Sequence, residues 1–311
     1  MPSRVWLVAD YKQAEVMVVA WAGPVPSLKG MFQKGEDVHL VVCQRTAKYI
    51  QDNNIRMPEV LMMLPDGRSA KRRPFMEKPW DQFTADDPER YTSKRTVHAN
   101  NYGLGKTKFA IITSLPVEVA GTVQEIYFIL FPEVKTNYHA WIDSLLNSPK
   151  RTIVVPQGFR RVFYDAPGPE LSRAGYAFYP QTTVGLKLVE TLTNVCECFV
   201  RERLVSPTPW IDSTFGGYAT IMHPEALRNE GLNVRLQMHD SLAIALDDDP
   251  SKIREAATII KQYGETPLTI RNQEDILDEL VIPMDFKVGP TLKERQSFEE
   301  DNPAYLHKYV L

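Results

Sequence analysis

Cysteine is scarce in this chain, positive charge is not in excess, and long apolar runs are missing. Cys43, Cys196 and Cys198 are the three cysteines in 311 residues, too few and odd in number for a disulfide framework. Cys196 and Cys198 share an apolar helical run with no second pair, so they read as buried thiols rather than zinc ligands. The formal net charge is −3. Nothing global therefore draws the chain to nucleic acid, and any polyanion site has to come from local clustering. No signal peptide opens the sequence and no apolar run is long enough to span a bilayer, which makes a cytoplasmic location the expectation (host cytoplasm if the source is viral). There is neither an internal repeat nor a low-complexity segment. What remains is an ordinary globular composition, 43% hydrophobic and 24% charged, long enough for one large or two moderate domains.

The chain is organised around its start. Val5 to Ala9 is an apolar, partly β-branched strand that ends on Asp10 and passes at once into an apolar-rich helix from Glu15 to Ala22. A carboxylate at the tip of a buried strand is poorly hydrated and suits a cation, although a helix N-cap uses the same residue type. A second apolar strand, from Val234, ends on Asp240, with Ser241 to Leu246 continuing as its partner and His239-Asp240 at the hairpin tip. Two such aspartates can share a pair of divalent ions, the arrangement that stabilises both oxygens of a phosphoryl displacement.

Between them, short helical pieces follow Gly23-Pro24-Val25-Pro26, and Val41 to Ile50 reads as a helix. Residues 57–91 read as irregular. There Arg68, Lys71, Arg72, Arg73 and Lys78 are interleaved with Phe75 and Trp80, a pattern expected of a solvated loop and also of a nucleic-acid contact. Within 93–110, helical spacing stacks Lys94, His98 and Tyr102 on one face, and Lys94, Arg95 and His98 form a cationic edge suited to a triphosphate. Gly105-Lys106-Thr107 ends like a P-loop, but the opening glycine is Asn100 and no apolar strand leads in, so the NTPase reading fails. Helical periodicity over 117–144 breaks at Phe131-Pro132-Glu133. A hairpin is expected over 151–164, a boundary at Ala166-Pro167-Gly168-Pro169, and a long helical region from Arg173 to Glu202, its helix starting near Gln181. Beyond Asp240, a helix over 250–262 and a strand over 281–286 lead to a charged tail from Lys293.

In chain order these stretches resemble family A DNA polymerases of the bacterial DNA polymerase I type, over roughly residues 5 to 290. Asp10-Tyr11-Lys12-Gln13-Ala14-Glu15 resembles motif A, and Gly35-Glu36-Asp37-Val38-His39 the segment after it. Lys94, His98, Tyr102 and Gly103 resemble motif B, and Gln237-Met238-His239-Asp240-Ser241 motif C. The resemblance implies an α/β fold: a polymerase palm, an antiparallel sheet backed by helices, with a mostly helical fingers subdomain. It places palm at 1–23 and 166–290, fingers at 24–165 and a tail at 291–311. It implies template-directed DNA synthesis with two Mg2+ ions (Mn2+ substituting) held by Asp10, Asp240 and the backbone carbonyl of Tyr11. Gln13, Glu15, His39, Lys94, Arg95, His98 and Tyr102 are then expected at the dNTP, and Arg173, Gln181, His239 and Lys106 at the primer–template. Tyr102 implies ready acceptance of dideoxynucleotides.

Several residues depart from the family pattern. Lys94 and His98 stand where arginine and lysine are usual, Lys106 where a tyrosine is expected, Ser241 where motif C has glutamate, and Ala177 where a polar groove contact is usual. Met1 lies only a few residues before motif A, so thumb and 3′–5′ exonuclease domains are expected to be absent from this chain. A separate polypeptide, as in a split phage polymerase, is the expected supplier, a cloned fragment being the other explanation. The reading from a different class is a non-catalytic nucleic-acid-binding or scaffold subunit that kept the palm fold.

Overall fold

The computed structural model describes residues 4–63, 68–202, 233–238, 240–291 and 296–298. His239 and the expected turn at Phe215-Gly216-Gly217 lie outside them. The chain divides into two compact units, one of residues 1–14, 183–268 and 281–311, the other of 15–182 and 269–280.

The first unit is built on a five-stranded antiparallel sheet. Its strands are β1 (Arg4–Tyr11), β6 (Asn233–Met238), β7 (Ser241–Asp247), β10 (Met284–Gly289) and β11 (Gln296–Phe298), in the spatial order β11-β10-β1-β7-β6. β1 is central, and Val5, Leu7, Val8, Ala9 and Tyr11 are buried on both its faces, which is why it reads as a near-continuous apolar run. Each fully buried aliphatic side chain there contributes about 1.5–3 kcal/mol. Helix α9 (Pro250–Gly264) packs on β1, β7 and β10 through Ile253, Ala256, Ala257 and Ile260. Asp249 caps it by accepting from Ser251 N–H at 2.9 Å. The stretch expected to be an unstructured tail supplies β11, which pairs antiparallel with β10 through Gln296, Ser297 and Phe298.

The second unit is mostly helical: α1 (Ala14–Ala22), α2 (Pro26–Gln33), α3 (Val38–Asp52), α4 (Pro88–Asn101), α5 (Lys106–Thr113), α6 (Val117–Leu130), a π-helical turn (Val134–His139) and α7 (Ala140–Asn147). Cys43, Ala47 and Ile50 from α3, Phe109 from α5, and Val119, Val123 and Ile126 from α6 share one core with Phe75 and Phe83. α3 starts three residues before the expected point because Asp37 caps it, accepting from His39 N–H and Leu40 N–H at 3.0 and 3.2 Å.

Residues 57–91 are not irregular throughout. β2 (Val60–Met63) and β3 (Ser69–Arg72) pair antiparallel, and three basic residues of the run are ion-paired. Lys71 pairs with Glu59 at 3.7 Å, Arg72 with the fully buried Glu89 at 3.1 Å, and Lys78 with Asp87 at 2.6 Å. Phe75 is core. The part-buried Arg72 and Lys78 are held by the fold, while Lys71 stays largely exposed. The expected hairpin is present as β4 (Thr152–Val154) and β5 (Arg160–Val162), and a further pair, β8 (Leu268–Arg271) with β9 (Leu277–Leu280), escaped the sequence reading.

The long helix, α8 (Pro169–Glu202), begins twelve residues before Gln181 and runs through Pro180. Pro169 and Glu170 suit a first turn, so the expected boundary is a helix start. A proline within a helix leaves the carbonyl four residues earlier without its N–H. That carbonyl belongs to Tyr176, and it accepts from the Tyr138 hydroxyl at 2.6 Å instead. No single helix among the described residues is long and apolar enough to cross a membrane.

Candidate active site

In the first unit the sheet carries two aspartates to one edge. Asp10 is half-buried near the end of β1, directly opposite Ser241 on β7 and Asp285 on β10. Met238 on β6 pairs with Ser241 on β7, and Asp240 stands in a turn directly before β7. The Asp240 carbonyl accepts from Tyr11 N–H at 3.1 Å, so Asp10 and Asp240 close the same end of neighbouring strands. The Tyr11 side chain points into the core. Its hydroxyl donates to the Gly264 carbonyl at 3.0 Å and is 2.8 Å from the Thr191 hydroxyl, and burial pushes its pKa well up. Only its backbone faces the strand end. Gln13 turns the chain with φ 53°, and its Oε1 is buried without a hydrogen-bond partner.

The carboxylates of Asp10 and Asp240 are hard oxygen donors. They fit Mg2+, which keeps several of its waters and is commonly bound by one or two protein carboxylates. Among the described residues no group of three or more His, Cys, Asp or Glu that could hold a metal comes together, so Asp10 and Asp240 would leave most positions around such an ion to water.

In the second unit α4 presents Lys94 and His98 on one face, with Tyr102 as its C-cap rather than within it. The helix stops there because Gly103 adopts φ +67°, where an added Cβ would stand 2.9 Å from the Tyr176 ring. The Tyr102 hydroxyl donates to Glu15, at the start of α1. Glu15 Oε2 also lies 3.4 Å from His98 Nδ1, so one carboxylate ties two turns of α4. Burial, then Glu15, raise the Tyr102 pKa far above the phenolic range, while a hydrogen bond from Gln181 opposes them.

His39 is 2% exposed, with its ring 5.6 Å from that of His98 and its Nδ1 without a hydrogen-bond partner. Burial and the neighbouring His98 push its pKa down to about 3, against the pull of Asp37. It is neutral at any ordinary pH. The Arg95 guanidinium is engaged elsewhere: it donates to the Ile112 carbonyl and to the Tyr91 hydroxyl, and lies 4.4 Å over the Tyr91 ring. Lys94 and Lys106 are exposed. Arg173 pairs with Glu170 one turn before it. It also lines a cavity of about 340 Å³ with Gly103, Phe128, Lys135, His139 and Tyr176.

The structure thus gathers Glu15, His39, His98, Tyr102 and Gln181 in one unit, and Asp10 and Asp240 in the other. Sequence reasoning missed the supports behind α4. The Asn101 carbonyl is 2.9 Å from His139 Nε2, the Asn101 side chain accepts from Tyr127 at 2.8 Å, and the Asn100 side chain accepts from Gln124 at 2.8 Å. His139 stacks on Tyr176 at 4.0 Å. The break at Phe131-Pro132 was the one visible signal, since it produces the π-helical turn that aims His139.

No protein-family model matches the chain, and no curated protein matches it. Among solved structures it is similar to the polymerase domain of Pol1 from M. smegmatis, determined in complex with DNA primer-template and dNTP. The TM-score is 0.61 and the identity 17%, over 93% of this chain and 40% of that one. This chain therefore spans well under half the length of that protein. The likeness is one of fold: a mixed α/β protein whose antiparallel sheets and helices follow the polymerase domain of a DNA polymerase.

Proposed function

We propose that this chain carries the palm and fingers of a DNA polymerase and transfers a dNTP to a primer 3′-hydroxyl under template direction. The observation that carries this is the sheet edge: two half-buried aspartates, 230 positions apart in sequence, joined through the Tyr11 N–H to Asp240 carbonyl bond. Mg2+ bound there would supply a lowered pKa for the primer hydroxyl and charge compensation for the leaving pyrophosphate. Asp10, Asp240 and the Tyr11 carbonyl would hold the ions.

Lys94 brings permanent charge to the triphosphate, and His98 donates from the same face. His39 is neutral and packs behind His98, so its role is to fix that ring rather than to pair with phosphate. Arg95 braces α4 against α5. Tyr102, anchored on Glu15, narrows the space at the sugar 2′ position. Gln13 stays with the dNTP, and Arg173, Gln181, His239 and Lys106 position primer and template, most of them by polar groups that read shape rather than sequence. The net charge of −3 offers no general attraction to phosphate, so further grip on duplex DNA would come from a second chain.

The reading is tested by primer extension with Mg2+ and all four dNTPs. Extension is expected from the native chain, and Asp10→Ala or Asp240→Ala should reduce it below detection. Ser241 and the uncharged His39 favour a second reading, a scaffold subunit that binds nucleic acid without synthesis. Primer–template binding with no extension under any metal would establish that reading instead.

A further inference from the structure

Two charges beside the aspartate edge have no part in the reading above. Lys12 follows Tyr11 at the end of β1, and its backbone N–H donates to the Pro283 carbonyl at 2.8 Å, which holds it on the β10 side. Its Nζ lies 3.7 Å from Asp285 Oδ1, with the two side chains 51% and 54% exposed. We propose that this ion pair sets the metal affinity of the Asp10–Asp240 edge, Asp285 adding negative charge toward the cation and Lys12 offsetting it. The inference rests on the two-aspartate reading of that edge.

Register carries the argument. Residues directly opposite in an antiparallel ladder project from the same face with Cβ atoms about 4.5–5.5 Å apart. Ser241, Asp10 and Asp285 stand opposite one another on β7, β1 and β10, so they form one row across the sheet. On the β7 side of Asp10 the row has a hydroxyl; on the β10 side it has a carboxylate. Two like charges directly opposed across a ladder repel, and a divalent cation at Asp10 turns that repulsion into attraction. Lys12 is the counter-charge to Asp285. An exposed pair at 3.7 Å adds little to stability, but both of its charges lie within a Debye length of Asp10. Its effect is therefore expected in cation binding rather than in folding.

Mn2+ binding to the chain without nucleotide or DNA, read by the EPR signal of free Mn2+, tests this independently of synthesis. At low salt, Lys12→Met is expected to tighten binding and Asp285→Asn to weaken it, each ~3- to 10-fold. The double variant should return near the native value. All three differences should shrink in about 0.5 M salt, where the screening length is on the order of a few ångström. If Asp10→Asn and Asp240→Asn leave Mn2+ binding intact, or the native chain binds none, the two-aspartate reading falls and this inference with it. If those variants abolish binding while Lys12→Met and Asp285→Asn leave the affinity unchanged or move it the same way, the ion-pair inference alone is overturned. Should Asp285→Asn fail to fold, Lys12→Glu decides the matter, since it should tighten binding beyond Lys12→Met.

Discussion

A histidine that is 2% exposed and lacks a partner for Nδ1 resists protonation. With its pKa held at about 3 against an ordinary 6.5, folded His39 binds fewer protons than the unfolded chain does at acid pH. Its contribution is therefore present above about pH 6.5 and lost as pH falls through that value toward 3, with a limiting slope of about 1.4 kcal/mol per pH unit. Thermal unfolding followed from pH 8 to pH 4 should show a steepening loss of stability below pH 6.5. His39→Gln, which takes up no proton, should remove that component, and an unchanged slope would show that His39 is solvated. From sequence, His39 stood as a triphosphate ligand because the motif around it was legible. Its burial was not, because which face of α3 turns inward depends on α4 packing against it.

At the scale of elements, α8 shows how a local signal is overruled. Proline inside a helix costs about 3 kcal/mol, so Pro180 by itself opposes a helix that passes through it. One part of that cost, the unpaired carbonyl of Tyr176, is met by Tyr138 from the π-helical turn. Tyr138→Phe should therefore destabilise the protein by roughly 1–3 kcal/mol, the cost of a buried acceptor left unmade. Pro180→Ala in that background should restore much of the loss, because the new backbone N–H at that position would then reach the carbonyl. Urea unfolding of both single variants and the double variant measures this, and equal destabilisation with and without Pro180 would mean the hydroxyl acts otherwise. The β4–β5 hairpin was legible because Pro156-Gln157-Gly158 marks its turn and Arg160 and Arg161 begin a clear return strand. The β2–β3 pair was not, because its basic run carried no alternation. Three of those charges are paired with Glu59, Asp87 and Glu89, acids outside the two strands.

For the whole molecule, a net charge of −3 provides no general attraction to phosphate, which supplies most non-specific affinity for DNA. Extension by this chain alone is expected to be distributive, with one or a few nucleotides added per encounter in single-hit gel assays. A second chain that grips duplex DNA should lengthen the products; long products from the chain alone would remove the need for it. By itself the sequence determined the two apolar strands that lead toward Asp10 and Asp240, the order of the motif-like segments, the residues sharing a face of α4 and the α/β class. The strands and the shared face of α4 follow from periodicity, turn chemistry and residue type acting over a few positions, while the order of the segments and the α/β class follow from the family resemblance they carry. Only the tertiary structure decided that Asp285 stands opposite Asp10, that Arg95 is taken up by Tyr91 and Ile112, that His39 is buried, and that α8 passes through Pro180. Each of those depends on a partner distant in the chain or on which faces pack together, and neither is written in local spacing.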